Sequence, residues 1–414
     1  MKYMCADRRA SFLNVTSEIG KLKAVLLHKP GSELEKLTPD YLSQLLFDDI
    51  PWLKKMRVEH DEFANILSQR GAQVYYVDKL LTEVLQSAEI KAKFVKELLA
   101  TCFENSQELN QVLFEHIVNL PAAEVSEIAI SGLSKKDLPE MNRSLSLMDH
   151  VYGDYPLYIN PIPNLYFMRD PAAVLGQGIS INSMHTDARR REPMIIKYIY
   201  EYNPLFKKEN SQVWYDHNIP YSMEGGDMLM LSKEIVAIGC SQRTSANGIE
   251  HIAKNLFASD SGIKEVLAVQ IPPLRAFMHL DTVFTMIDYD KFTIYPGIQD
   301  KVKVYSLKPN NGSLKVNVEN SLVETLKKSL KLPAVDLIQS GGGDPITAAR
   351  EQWNDSTNTL AIAPGVVVTY GRNEVSNEVL RQHGMEVLEI DGSELVRGRG
   401  GPRCMSMPLV RENL

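Results

Sequence analysis

The spacing of apolar positions changes twice along this chain. Near the start, Lys21-Leu22-Lys23-Ala24-Val25-Leu26-Leu27-His28 is an apolar run that stops at Pro30-Gly31, which predicts a strand. A helical stretch follows around residues 50–70 and ends at Gly71. Ala72-Gln73-Val74-Tyr75-Tyr76-Val77 then reads as a second strand. No glycine occurs from Ala72 to Ser131, and apolar residues fall at helical spacing: Leu81, Val84 and Leu85; Phe94, Val95, Leu98 and Leu99; Val112, Leu113, His116 and Ile117. This predicts a helical bundle over residues 79–150, inserted into an α/β domain made of residues 1–78 and 151–414.

From about residue 155 the pattern turns to short strands with short helices, and two stretches resemble each other. The first runs Gly225-Gly226-Asp227, a hairpin ending Ile235-Val236-Ala237-Ile238-Gly239, Gln242-Arg243-Thr244, a helix from about Asn247 and a strand from Val266 to Ile271. The second runs Gly342-Gly343-Asp344, a strand Thr359-Leu360-Ala361-Ile362-Ala363, Gly371-Arg372-Asn373, a helix from about Val375 and a strand from Met385 to Ile390. A recurring unit of this size predicts repeats packed around an axis.

At 414 residues the chain exceeds the size at which single cores stop growing. Net charge is 45 − 52 = −7, which advertises no basic face for nucleic acid. Cys5, Cys102, Cys240 and Cys404 form no CxxC pair and sit beside no histidine at zinc spacing, so a reduced, cytoplasmic chain is expected. There is no apolar run of about 18 residues to span a membrane. The first residues lack the apolar segment of a secretory leader.

The candidate nucleophile is Cys404, in the loop Gly398-Arg399-Gly400-Gly401-Pro402-Arg403-Cys404-Met405. An isolated cysteine is more often a small buried hydrophobe. Here neighbouring arginines favour the thiolate, and glycines allow close backbone approach to a ligand. Far upstream, Met278-His279-Leu280-Asp281-Thr282 supplies an imidazole and an acid two residues apart, which on a strand would share a face. Glu224, before Gly225-Gly226-Asp227, and Asp170, in Asn164-Leu165-Tyr166-Phe167-Met168-Arg169-Asp170-Pro171, complete a set of acids; each taken singly reads as a salt bridge or turn. Several carboxylates, one imidazole and one thiol fit a cationic guest, and a planar guanidinium offers five donors to such a set. A metal is the competing guest, but no HxxxH or HExxH spacing is present, and no metal or other cofactor is expected.

These motifs resemble those of arginine deiminases, in the guanidino-group-modifying superfamily. The resemblance runs almost end to end: Ser17-Glu18-Ile19-Gly20-Lys21-Leu22, Leu45-Leu46-Phe47-Asp48-Asp49, Pro163-Asn164-Leu165-Tyr166-Phe167, Glu224-Gly225-Gly226-Asp227, Met278-His279-Leu280-Asp281-Thr282 and the Cys404 loop. It implies a five-bladed, pseudo-fivefold α/β propeller (the pentein fold) with the helical insert, and hydrolysis of L-arginine to L-citrulline and ammonia. It implies Cys404 as nucleophile, His279 as general acid–base, Asp170 and Asp281 as guanidinium clamps, and Glu224 as a guanidinium ligand that orients His279. Arg189 and Arg243 would receive the substrate carboxylate, and Asn164 and Phe167 would line the amino-acid end. Gly398 and Arg399 would belong to a closing loop and Leu46 to a second lid. It further implies a homodimer or larger assembly. Two departures are Met168 and Pro193, where the family pattern has threonine; Met168 would share a strand face with Asp170, and Pro193 suits an early helix position. Alternatives are another guanidine hydrolase or amidinotransferase of the same fold, or a non-catalytic arginine-binding protein.

Overall fold

The computed structural model describes residues 12–102, 105–138, 145–206 and 212–414. Cys5 and part of the predicted helical segment lie outside the described residues.

Among the described residues, five of the six sheets share one construction: a central strand pairs antiparallel with one neighbour and parallel with the other. Leu22–Leu27 lies between Met407–Arg411 and Gln73–Tyr76. Gly178–Ile181 lies between Ala172–Leu175 and Gln212–Tyr215. Ile235–Cys240 lies between Met228–Ser232 and Glu265–Gln270. Lys291–Ile294 lies between Phe284–Met286 and Asp336–Gln339. Val366–Tyr370 lies between Leu360–Ala363 and Glu386–Ile390. A parallel step requires a crossover. Helices Leu53–Gln69, Arg191–Tyr202, Ala246–Ala258 and Glu374–Gln382 supply four of them. The fourth sheet's crossover is longer; it carries the hairpin Lys303–Asn310 and Ser313–Glu319, which extends the third sheet, before helix Leu322–Leu330.

Met407–Arg411, near the C-terminus, completes the sheet begun by Leu22–Leu27. That pairing holds the Cys404 loop against the rest of the molecule.

Helices Val77–Val84, Ala88–Ala100, Gln107–Val118 and Ala122–Ser131 occupy the glycine-free stretch. Ser106 caps the third of them by accepting from the Leu109 N–H at 3.1 Å. Phe94, Val95, Leu98, Leu99, Leu113 and Ile117 are buried as their spacing predicts, but His116 is exposed. Phe94 meets Tyr198 of the Arg191–Tyr202 crossover edge-on at 5.0 Å, and both lie within one continuous apolar cluster.

The two Gly-Gly-Asp stretches differ. Gly225–Asp227 is a short 3-10 turn leading straight into the strand Met228–Ser232, with Asp227 buried. Asp344 is exposed and caps a helix, Pro345–Trp353, that precedes its hairpin. The hairpin, helix and strand that follow do recur in order.

Candidate active site

Asp170 and His279 do not sit on strands. Asp170 lies in the turn between the 3-10 segment Pro163–Tyr166 and the strand Ala172–Leu175, and Met168 points into the apolar core. His279 caps the 3-10 turn Leu280–Thr282, which carries Asp281. Shared strand faces therefore do not explain how these groups meet. Contacts between loops do. The Gly225 N–H donates to the Asp170 carbonyl at 3.0 Å, the Leu280 N–H to Asp227 Oδ1 at 2.7 Å, and the Arg169 N–H to the Cys404 carbonyl at 3.0 Å. Gly226 leaves room for the cluster: a Cβ there would stand 2.7 Å from the His279 ring and 2.9 Å from Asp170 Oδ1, so these side chains would have to shift.

These contacts bring Cys404, His279, Glu224, Asp170 and Asp281 into one buried cluster. His279 Nε2 lies 2.7 Å from Glu224 Oε2, and its Nδ1 lies 3.7 Å from Asp170 Oδ1. Burial of the imidazole opposes its charge, but Asp170 and then Glu224 overcome it and raise its pKa to about 9. For Glu224, burial is likewise outweighed, here by the hydrogen bond to His279 and by Arg243, and its pKa falls to about 2. The Cys404 sulfur lies 3.7 and 4.0 Å from the two Asp281 oxygens. Burial first, then Asp281, Asp170 and Asp355, hold its pKa well above the usual thiol range, and Arg403 only partly offsets them. The neighbouring arginines thus do not produce a thiolate in the free protein. Arg403 bridges Glu18 Oε2 at 3.1 Å, Asp281 Oδ2 at 2.7 Å and the Met228 carbonyl at 2.7 Å.

The cationic residues divide in two. Arg189 is fully engaged: Nη1 donates to Asp170 Oδ2 at 2.6 Å, and Nη2 to Glu192 Oε2 at 2.8 Å. It presents no free guanidinium. Arg243 is buried beside Glu224, with Nη1 3.9 Å from Oε1, and its Nε and Nη1 have no hydrogen-bond partner. Asp170 Oδ1 is also without one.

Two loops cover the cluster. Arg399 adopts a left-handed backbone (φ 66°), and its guanidinium lies 3.3 Å above the Trp353 ring centre. A Cβ on Gly400 would come 2.3 Å from the Phe167 ring, and one on Gly398 would come 2.2 Å from Tyr166 Oη. Leu46, also left-handed (φ 62°), lies in a loop tied to this one by Arg397 and Asp49. Asn164 Nδ2 donates to the Leu45 carbonyl at 2.8 Å. A cavity of about 1010 Å³ reaches Leu46 and His185, but neither Cys404 nor His279 lines it. Cys404 and His279 are both buried.

Two site residues escaped sequence reasoning. Asp355 (φ 60°) is buried with both carboxylate oxygens unpartnered, and burial pushes its pKa up to about 7, with Arg399 opposing. Asn358 contacts the Cys404 sulfur itself. Both lie in Asp355-Ser356-Thr357-Asn358-Thr359, a polar run buried throughout. That run, directly before the apolar strand Leu360–Ala363, was the available signal. Among the described residues, Asp170, Glu224 and His279 offer ligand atoms within 4.8 Å of one another. Such a set suits a cation, metal or organic.

Solved structures share this architecture. An amidinotransferase from Microseira wollei aligns over 97% of this chain and 98% of its own, with a TM-score of 0.53 at 12% identity. A dimethylarginine dimethylaminohydrolase in adduct with S-methyl-L-thiocitrulline aligns over 93% and 99%, with a TM-score of 0.51 at 15% identity. By fold the chain is a mixed α/β protein of the class that holds these two. Sequence narrows the class. The arginine deiminase family model matches residues 43–411. An arginine deiminase of Bacillus cereus (strain ATCC 10987 / NRS 248) is 50% identical over 407 residues, 97% of this chain and 99% of that protein. One from Latilactobacillus sakei subsp. sakei (strain 23K) is 49% identical over 406 residues, 97% of this chain and 98% of that protein. The chain belongs to the arginine deiminase family.

Proposed function

We propose that this protein hydrolyses L-arginine to L-citrulline and ammonia through a covalent alkylthiouronium on Cys404. The observation that carries this reading is the sealed cluster itself: one thiol, one imidazole and three carboxylates in a member of this family. Asp170 Oδ1 and Asp281 are the acceptors that would take two edges of the substrate guanidinium, each bond strengthened by charge. Arg189 already places a guanidinium on Asp170, so arginine would bind beside it or displace it. Arg243, with two unpartnered nitrogens, is the natural receiver of an α-carboxylate, which favours arginine over agmatine.

The chemistry then follows. An incoming guanidinium offsets the carboxylates that keep the Cys404 proton in place, so substrate itself promotes the thiolate. The sulfur adds to the guanidinium carbon. Collapse of the tetrahedral adduct breaks a C–N bond, and His279 delivers a proton to the departing ammonia. Water, activated by the now neutral His279, attacks the thiouronium carbon; the C–S bond breaks, and citrulline and the thiol are released. Splitting the reaction in two lowers each barrier. None of these steps calls on a metal or cofactor.

The recurring pairing in the five sheets supports reading them as blades of a pseudo-fivefold propeller, with residues 79–150 as a helical insertion. A cytoplasmic location and a homodimer or larger assembly accompany this reading as family-level expectations. The test is to assay citrulline and ammonia from L-arginine with chelator-treated protein beside Cys404→Ser. Equal amounts of both products, lost in the variant, support the proposal. Activity only after adding back a metal, or undiminished in the variant, refutes it.

A further inference from the structure

Asn358 is closed to solvent, and every polar atom of its side chain faces the Cys404 loop. Its Oδ1 accepts from the Cys404 N–H at 2.9 Å and from the Gly401 N–H at 3.2 Å. Its Nδ2 lies 3.1 Å from the Cys404 sulfur. The amide orientation is fixed by chemistry: two backbone N–H groups only donate, so the oxygen must face them and the NH₂ must face the sulfur. An NH₂ group has nothing to accept with, so the sulfur must act as acceptor, a role the thiolate fills better than the thiol.

The chain around Asn358 is built to deliver it. The Asn358 N–H closes a turn onto the Asp355 carbonyl at 3.0 Å, and Asp355, the first residue of that turn, has a left-handed backbone (φ 60°). Such strain in a non-glycine residue persists only where surrounding structure imposes it. One residue before Asn358, Thr357 Oγ1 donates to the Thr282 carbonyl at 2.6 Å. Thr282 in turn donates its N–H to the His279 carbonyl at 3.2 Å. A single buried run therefore grips both the nucleophile loop and the loop of the general acid–base.

We propose that Asn358 is a positioning residue for Cys404, whose carboxamide holds the loop with its oxygen and favours the sulfur anion with its N–H. This rests on the reading of Cys404 as nucleophile. It acts against the surrounding carboxylates, and it favours the thiolate most before attack, when the full negative charge still lies on sulfur.

The test is Asn358→Ala in the full chain, read by alkylation of Cys404 with iodoacetamide without arginine, from neutral to mildly alkaline pH. Peptide mass mapping identifies the modified site. Loss of the hydrogen bond is expected to slow alkylation about tenfold, in proportion to the thiolate fraction. Citrulline kcat falls at least as far, while KM stays within about threefold. A role confined to holding the loop gives the opposite sign, because a loosened loop exposes the sulfur and speeds alkylation. Alkylation unchanged or faster in the variant overturns the proposal, whatever happens to kcat. If circular dichroism shows that the alanine variant does not fold, Asn358→Ser, too short to span both loop N–H groups and the sulfur, gives the same readout. Citrulline formation by the unmodified protein separates the two ideas: its absence refutes the deiminase reading, whereas a normal rate with unaltered alkylation in the variant refutes only the role of Asn358.

Discussion

His279 Nε2 lies 2.7 Å from Glu224 Oε2, and the pair has almost no contact with solvent. Despite burial, Asp170 and Glu224 keep the imidazole protonated to about pH 9. A His pKa raised on folding stabilises fully below the unfolded value, about 6.5, and that contribution is lost as pH rises. For His279 the window of loss therefore runs up to about 9. Glu224→Gln should shift the His279 titration, followed by NMR, down by at least about one unit. The same substitution should pull in the alkaline limb of kcat/KM. Its stability cost should be largest below about pH 6.5 and smaller at alkaline pH.

Arg189 balances two buried carboxylates, Asp170 at 2.6 Å and Glu192 at 2.8 Å. Removing one member of a buried ionic set leaves uncompensated charge and costs about 3–5 kcal/mol. Arg189→Met should therefore lower stability by roughly that amount in urea titrations. A raised KM with unaltered stability would show that the contact with Asp170 carries little energy and that Arg189 serves substrate alone.

Arg243 is the contrasting case, since its ion pair with Glu224 is longer, at 3.9 Å, and two of its nitrogens have no hydrogen-bond partner. Arg243→Ala should cost less stability than Arg189→Met, because its pairing with Glu224 is looser, yet raise KM for L-arginine more than about tenfold. Activity on agmatine, which lacks the carboxylate, should be nearly unaffected. Equal losses on both substrates would place Arg243 elsewhere in the mechanism.

Gly226 tests the geometry of the cluster without removing any polar group. A Cβ there would crowd the His279 ring at 2.7 Å. Overpacking of this kind costs about 1–3 kcal/mol, and a small displacement of a catalytic group costs about a hundredfold in rate. Gly226→Ala should thus fold, melt a few degrees lower and lose about two orders of magnitude in kcat. Calorimetry with a citrulline assay checks both.

Much of this was legible in the chain because the motifs are local. The helix Leu53–Gln69 and the strands Leu22–Leu27 and Gln73–Tyr76 fall within the predicted stretches. The buried cluster gathers the five candidate residues singled out by chemistry and resemblance. What failed was the inference from spacing to orientation: His279 and Asp281 meet through a 3-10 turn, not a strand face. The resemblance placed Arg189 at the substrate carboxylate, but its position beside Asp170 depends on a loop contact that spacing does not encode. Gly342-Gly343-Asp344 repeats letters but not structure, because Pro345 starts a helix where Met228 starts a strand. The polar run Asp355–Thr359 reads as a solvated loop, since polar residues are mostly exposed. Its burial depends on partners about 45 to 75 residues away, Cys404 and Thr282, that no local pattern reveals.

The central claim is a covalent bond between Cys404 and the substrate carbon. Mixing the protein with L-arginine, quenching in acid within the first turnovers and mapping the peptide that carries Cys404 tests it directly. The account predicts a species on Cys404 heavier by the mass of arginine less ammonia, which decays as citrulline accumulates and is absent from His279→Ala protein treated with citrulline alone. Citrulline formed at the full rate with Cys404 unmodified at every quench time, under conditions where hydrolysis is the slower step, would contradict it.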